Sequence, residues 1–557
     1  MFMRKIKEIK AVIYPVPQKN NLNGTPIYIS AVKVCGEYRE TAEKILSEYN
    51  IDIADGFSVE IMVSDSRRTT YVEDLSMLSD EKYFITVTDE RILIEASCRR
   101  GVFRAVHTLA KLIKKNELKT GTLEDYPLFS RRGYIEGFYG ATWKQEKRLS
   151  VMRLMAANGM NSFYYAPKDD EYHRAKWRET YPEKELSELK SLFDTARENE
   201  IDVCWCVGPG LTYKYTSESD FNALIGKFMN VYSAGVRNFG LLLDDIPSDF
   251  QYEDDAKVYD SVVDAHIELI NKVFRTLKTA DSDITLTVCP TQYCGECDDY
   301  YISKFGKGIP SEIKIFWTGR QICSSFLTCR EADDFQRSTA HMPLYWDNYP
   351  VNDAEMFQEM HLGPVKGRDK ELYKHSEGLI SNVMEYAECS KIPLMTIADY
   401  LWNPVAYDCN NSLLNAQQEI LGEKAEIFKY IADHLCVSCV SRYGSELMSE
   451  VLSHLSFLVA TGDTQKAIGE FKEYNAKMRE CLATVSDTSV ELFAEMQKWV
   501  KKFSLCCDVL DAILAVWVEN TPENKAILSE LIEKYNSDAV VLAGFCLRET
   551  AEKTLEL

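Results

Sequence analysis

The sequence predicts an α/β protein, a (β/α)8 barrel preceded by a small α+β domain and followed by a helical bundle. Three observations carry that expectation. Eight short apolar runs alternate with amphipathic stretches between Gly133 and Asn382, recurring roughly every 30 to 45 positions as the strands of a closed parallel barrel do. Polar and aromatic residues follow nearly every run. Beyond Asn403-Pro404 the strand-like runs stop and helical spacing takes over. An open doubly wound sheet is the fold-level alternative, although no glycine-rich dinucleotide fingerprint or phosphate loop follows any run.

At 557 residues the chain exceeds a single hydrophobic core and suggests three or four units, fewer if one is a barrel. The texture divides it into 1–127, 128–408 and 409–557. In the first part, Phe57 to Val63 and Tyr83 to Thr88 alternate as half-buried strands, Arg91 to Ala96 continues the sheet, and Gly101 to Ile113 has apolar residues at helical spacing. The barrel runs begin near Gly133, Asn161, Ile201, Asn238, Ile284, Ile313, Met342 and Gly378, with helical patterns such as Gln145 to Ala157 and Lys184 to Asn199 between them. The last part is helical in pattern from Asn411 onward and contains one proline, Pro522, as a bundle packed beside the barrel would.

Composition narrows the partners. The net charge of −22, from 64 basic and 86 acidic residues, opposes nucleic acid and anionic membrane surfaces, which are bound chiefly through Lys and Arg. It also disfavours highly anionic polysaccharide. No stretch approaches the ~20 apolar residues needed to cross a bilayer, and Met1 to Asn20 lacks the apolar core of an export signal. Seventeen cysteines, an odd number, fit reduced thiols in a cytoplasm rather than a disulfide framework. Two CxxC pairs, Cys294/Cys297 and Cys436/Cys439, lie too far apart for an ordinary zinc ribbon, and the second sits in a helical pattern. Oligomeric state is left open.

The strand ends carry the chemistry. Leu243-Asp244-Asp245 closes an apolar run that reads as a strand buried on both faces, and catalytic groups in such sheets gather at the carboxyl ends. Mutual repulsion of the two acids should raise at least one pKa, as a proton donor near neutral pH requires. A strand-to-helix turn capped by Asp is the plain alternative. The other runs end in Glu136-Gly-Phe-Tyr-Gly140, Tyr165-Ala-Pro-Lys-Asp-Asp170, Cys289-Pro-Thr-Gln-Tyr293, Phe316-Trp-Thr-Gly319, Tyr345-Trp-Asp-Asn-Tyr-Pro-Val-Asn-Asp353 and Ser381-Asn382. Aromatic faces beside Asp, Asn and Lys suit a pyranose. Singly, Lys168 could be a surface ion pair, Trp346 a barrel plug, and Gly137 and Gly140 a tight turn.

Arg132-Gly-Tyr-Ile-Glu-Gly-Phe-Tyr-Gly140, Tyr165 to Asp170, Leu243-Asp-Asp-Ile246 and Trp346 to Asp353 together resemble glycoside hydrolase family 84, which contains β-N-acetylglucosaminidases. The resemblance implies a retaining, substrate-assisted mechanism without metal or cofactor, in which the substrate's 2-acetamido oxygen attacks C1 to give an oxazoline. Neighbouring Cα atoms lie only ~3.8 Å apart, so Asp244 and Asp245 approach from one side, whereas a carboxylate nucleophile and its acid flank the sugar. By motif position Asp244 would hold the amide N–H, and Asp245 would protonate the leaving oxygen and then deprotonate water. The resemblance further implies that Gly137, Tyr139, Lys168, Asn348 and Asp353 bind the sugar, that Tyr293 bonds the acetamido oxygen, that Trp346 walls its methyl group, and that Asn382 reaches the leaving-group side. One departure is Val383, where relatives commonly have proline, which would loosen that wall. The expected substrate is terminal β-linked GlcNAc on glycoproteins or smaller glycoconjugates. A non-catalytic GlcNAc-binding protein and a hyaluronidase-type endo-glycosidase are the competing readings.

Overall fold

The computed structural model describes residues 13–63 and 81–557. Part of the segment expected to lack an export signal, residues 1–12, lies outside them. The N-terminal part is a seven-stranded mixed sheet of β1 Lys19–Asn21, β2 Ala31–Gly36, β3 Asp52–Ile53, β4 Phe57–Val63, β5 Tyr83–Val87, β6 Arg91–Ala96 and β7 Gly121–Asp125, in the order β1-β7-β5-β6-β4-β2-β3. The alternating segments expected from the sequence are β4 and β5, with burial switching residue by residue along β5. Helix Arg99–Lys114 covers the sheet with a continuous apolar face.

Eight parallel strands follow and close on themselves. They are β8 Arg132–Glu136, β9 Ser162–Tyr165, β10 Asp202–Val207, β11 Asn238–Leu242, β12 Thr285–Cys289, β13 Lys314–Trp317, β14 Pro343–Asp347 and β15 Gly378–Asn382, with β15 pairing back to β8. The open-sheet alternative is thereby excluded. Each strand starts within a residue or two of its apolar run, because buried parallel strands leave little room for polar residues. Ile135, Tyr164, Cys206, Leu242, Cys289, Phe316, Leu344, Trp346 and Ile380, drawn from all eight strands, form a separate buried cluster that fills the barrel interior. The barrel interior is packed with side chains, so the room for chemistry lies at the mouth.

From Cys409 to the C-terminus the chain is helical. The long helices Thr464–Val485 and Gln497–Val518 bury Phe471, Met478, Trp499, Phe503 and Val509. One local expectation fails here. Cys436 and Cys439 lie in a turn, not in a helix: Ser438 and Ser441 exchange backbone hydrogen bonds, and the Asp433 carboxylate caps the next helix by accepting from the Leu447 and Met448 N–H groups at 3.0 and 3.3 Å. The turn's local hydrogen bonds override a spacing that continued in sequence only. Among the described residues no helix is long and apolar enough to cross a membrane.

Candidate active site

Asp244 and Asp245 stand immediately beyond β11. The Leu243 N–H continues the sheet by donating to the Cys289 carbonyl at 2.8 Å, so the acid pair begins one residue above the last ladder bond. Asp245 then turns out of the strand in the left-handed region, with φ at 52°, a conformation Asp tolerates better than most residues. No helix starts until Glu253, so neither acid serves as a cap. The turn sends the neighbouring carboxylates to different partners.

Asp244 is buried and accepts a hydrogen bond from Lys168 Nζ at 2.7 Å. Burial alone would raise its pKa, but the Lys168 ammonium outweighs that and holds the carboxyl below its usual range. The rise expected of at least one acid from their mutual repulsion is not found at Asp244, where the contacting opposite charge wins. Lys168 is accordingly no surface ion pair; its side chain is 5% exposed. Burial works against its charge as well, and Asp244 more than offsets it.

Asp245 is held at both oxygens. The Tyr139 hydroxyl donates to Oδ2 at 2.7 Å and the Tyr293 hydroxyl to Oδ1 at 2.9 Å. The phenols stay protonated, since burial followed by the Asp245 charge lifts Tyr293 far above its ordinary value. Tyr139 also links across the mouth, its backbone N–H donating to Asp353 Oδ2 at 2.8 Å. Burial raises the Asp353 carboxyl against the opposing pull of that N–H and of Lys168. Asp244, Lys168, Asp245, Tyr139, Tyr293 and Asp353 thus share one cleft.

The floor and far wall come from β14 and β15. Trp346 caps the interior cluster, edge-on to Phe316 at 5.1 Å, and its Nε1 donates to Asn348 Oδ1 at 2.9 Å. It is both plug and pocket wall. Gly137 lies flat against it: a Cβ there would meet the Trp346 ring at 2.7 Å and Asn382 Oδ1 at 3.2 Å. Asn348 is largely committed to holding this wall, since its Oδ1 also accepts from Asn382 Nδ2 at 2.9 Å while its Nδ2 donates to the Ile322 carbonyl at 2.8 Å. Asn382 Oδ1 is left as a buried acceptor without a donor among the described residues. Such an atom costs about 1–3 kcal/mol, which a ligand hydroxyl would offset. Val383 does not loosen the wall, because its N–H, which proline would lack, donates to the Ile135 carbonyl at 3.3 Å and its side chain is fully buried.

Other polar residues at the mouth are spent on the scaffold. Glu136 is fully buried and gripped by Arg148, Nε to Oε2 at 2.6 Å and Nη2 to Oε1 at 2.8 Å. Asp347 is held the same way by Arg368, and Asp170 accepts from the hydroxyls of Tyr165 and Tyr181. His173, beside Lys168, is pushed down to about 4 by burial and by that neighbouring charge, so it stays neutral. Among the described residues no three His, Cys, Asp or Glu side chains gather as a metal site. Sequence reasoning missed Arg174, whose Nη1 donates to the Tyr139 hydroxyl at 2.8 Å and Nη2 to the Asp245 carbonyl at 3.3 Å. Its place inside a long irregular loop gave no spacing signal.

The profile of the beta-N-acetylglucosaminidase family matches residues 132–433, and that of glycosyl hydrolase family 20, domain 2, matches residues 12–126. The chain is 31% identical over 274 residues to protein O-GlcNAcase of Rattus norvegicus, a match covering 48% of this chain and 29% of the rat protein. Among solved structures, an O-GlcNAc hydrolase mutant of Thermobaculum terrenum superposes with a TM-score of 0.73 at 30% identity, covering 77% of this chain and 95% of that one. The structure of CpGH84B gives a TM-score of 0.83 at 26% identity and covers 97% and 99% of the two chains.

Proposed function

We propose, from the premise that this chain belongs to the beta-N-acetylglucosaminidase family of glycoside hydrolases, that it is an exo-acting enzyme removing terminal β-linked GlcNAc with retention. The observation that carries this reading is the division of labour between adjacent carboxylates: Asp244 is kept ionised by Lys168 at 2.7 Å, and Asp245 is presented between two tyrosine hydroxyls. Asp244 would take the acetamide N–H and stabilise its developing positive charge, as a group fixed in its anionic form does best. The acetamide oxygen would then close on C1. Asp245 would give its proton to the departing oxygen as the C1–O electrons leave with it, and in the second half would take a proton from the water that opens the oxazoline.

The sugar's own hydroxyls would meet Asp353, Lys168 and the Gly137 carbonyl, with Tyr293 turning to the acetamido oxygen, Trp346 against its methyl and Asn382 on the leaving-group side. Protein-linked O-GlcNAc is the proposed substrate class, supported by the printed names of the rat relative and the Thermobaculum structure. A cytoplasmic setting belongs to the same proposal and is supported by seventeen unpaired cysteines.

The test is turnover of aryl β-GlcNAc substrates by wild type and Asp245→Asn. Wild type should release the phenol, and Asp245→Asn should lose about 100- to 10,000-fold on a poor leaving group and far less on an activated one. Binding of an oxazoline mimic without any phenol release would instead identify a binding protein. Equal loss on every leaving group would remove Asp245 from the acid role.

A further inference from the structure

We infer that Arg174 is a positioning residue for proton transfer: it fixes the direction in which Tyr139 donates and thereby assigns different duties to the two oxygens of Asp245. The inference rests on the hydrolase reading above and adds a residue and a microscopic order to it.

Tyr139 is 45% exposed, so packing alone does not fix its hydroxyl. A guanidinium can only donate. With Arg174 Nη1 at 2.8 Å, the Tyr139 oxygen is an acceptor on that side, and its single hydrogen must point to Asp245 Oδ2, 2.7 Å away. The same guanidinium holds the other end of the relay, because Nη2 reaches the carbonyl of Asp245 at 3.3 Å and so braces the residue whose φ is 52°. The tyrosine ring is gripped too, with the Arg174 and Lys168 charges at 5.7 and 5.5 Å from its centroid.

A consequence follows for the chemical step. A carboxyl poised as an acid carries hydrogen on one oxygen, and that oxygen must be released to the glycosidic oxygen. Both oxygens of Asp245 are engaged here, so one tyrosine has to yield. Tyr139 is anchored at its ring, hydroxyl and N–H. Tyr293 meets Asp245 through a hydroxyl that no guanidinium among the described residues fixes. Oδ1, on the Tyr293 side, is therefore the oxygen that carries the proton, passes it to the leaving group as the C1–O bond breaks, and recovers it from water. Oδ2 stays bonded to Tyr139, which keeps its own hydrogen throughout. Arg174 moves no proton; it keeps the relay aligned.

The experiment measures kcat for wild type, Arg174→Ala, Arg174→Lys, Tyr139→Phe and the double variant Y139F/R174A on 2,4-dinitrophenyl and 4-methoxyphenyl β-GlcNAc. Arg174→Ala should lose about 10- to 100-fold on the methoxyphenyl substrate, which needs acid assistance, and stay within about 3-fold on the dinitrophenyl one. Arg174→Lys should recover part of that loss by restoring a donor, and it tests the same selectivity if the alanine variant folds poorly. Because the residues act in series, the double variant should fall no further than Tyr139→Phe alone, within about 2-fold. Equal losses on both substrates, a multiplicative double variant, or wild-type kcat in Arg174→Ala would overturn the inference while leaving the hydrolase reading intact. Failure of wild type to release either phenol would overturn both.

Discussion

Glu136, ending β8, and Asp347, ending β14, sit as near the barrel mouth as Asp244 and Asp245 beyond β11, yet the fold uses them in opposite ways. The first two are clamped at both oxygens by forked, buried arginines, Arg148 and Arg368. The second two meet a lysine and two phenols within an open cleft. The difference lies in the neighbours. A guanidinium matches a carboxylate at both oxygens and locks it, whereas an ammonium is a point charge that leaves room for a further donor, and a phenol can turn away.

Cutting a scaffold clamp should give the largest effect on stability and little on chemistry. Among the described residues, Arg148→Met leaves the fully buried Glu136 carboxylate with the Trp143 N–H at 3.0 Å as its hydrogen-bond donor, and removing one partner of such a pair costs about 3–5 kcal/mol. Calorimetry or denaturant unfolding should show that loss, while kcat per folded molecule stays within a few-fold of wild type. A variant of normal stability but collapsed turnover would place Glu136 with the pocket and dissolve the contrast.

A smaller effect of another kind is expected on the pocket side. Burial raises the Asp244 carboxyl and Lys168 more than reverses this, so its pKa lies below the usual range. In the proposed mechanism Asp244 acts in its ionised form, and kcat/KM should therefore fall only at strongly acidic pH in wild type. Lys168→Met removes the largest lowering influence and leaves burial opposed only by weaker ones such as the Arg174 charge, which moves the acidic limb upward. An acidic limb that does not move would show that another group controls it.

Much of this arrangement was legible in the sequence because a parallel barrel imposes strong rules. Strands buried on both faces read as unbroken apolar runs, so all eight were located, and the rule that chemistry gathers at strand ends brought Asp244, Lys168, Tyr293 and Asp353 together although they lie on four different strand-to-helix connections. What stayed hidden depended on partners far off in the chain or inside irregular loops. Glu136 and Asp347 look like pocket acids until Arg148 and Arg368 are seen to reach them. Arg174 matters only because its loop folds over Tyr139, and Cys439 follows a helical spacing yet occupies a turn where its thiol meets the Asn348 carbonyl at 3.7 Å. The low pKa of Asp244 was hidden in the sequence because the charge that sets it, Lys168, lies on a different strand-to-helix connection.

The central claim is that the acetamide oxygen of the sugar, not a protein carboxylate, attacks C1. It is tested most directly by measuring kcat/KM on aryl β-glucosaminides whose N-acyl group carries zero, one, two and three fluorines. If the acetamide is the nucleophile, each fluorine weakens it and the rate falls steeply and steadily along the series. A rate indifferent to fluorination would contradict the account.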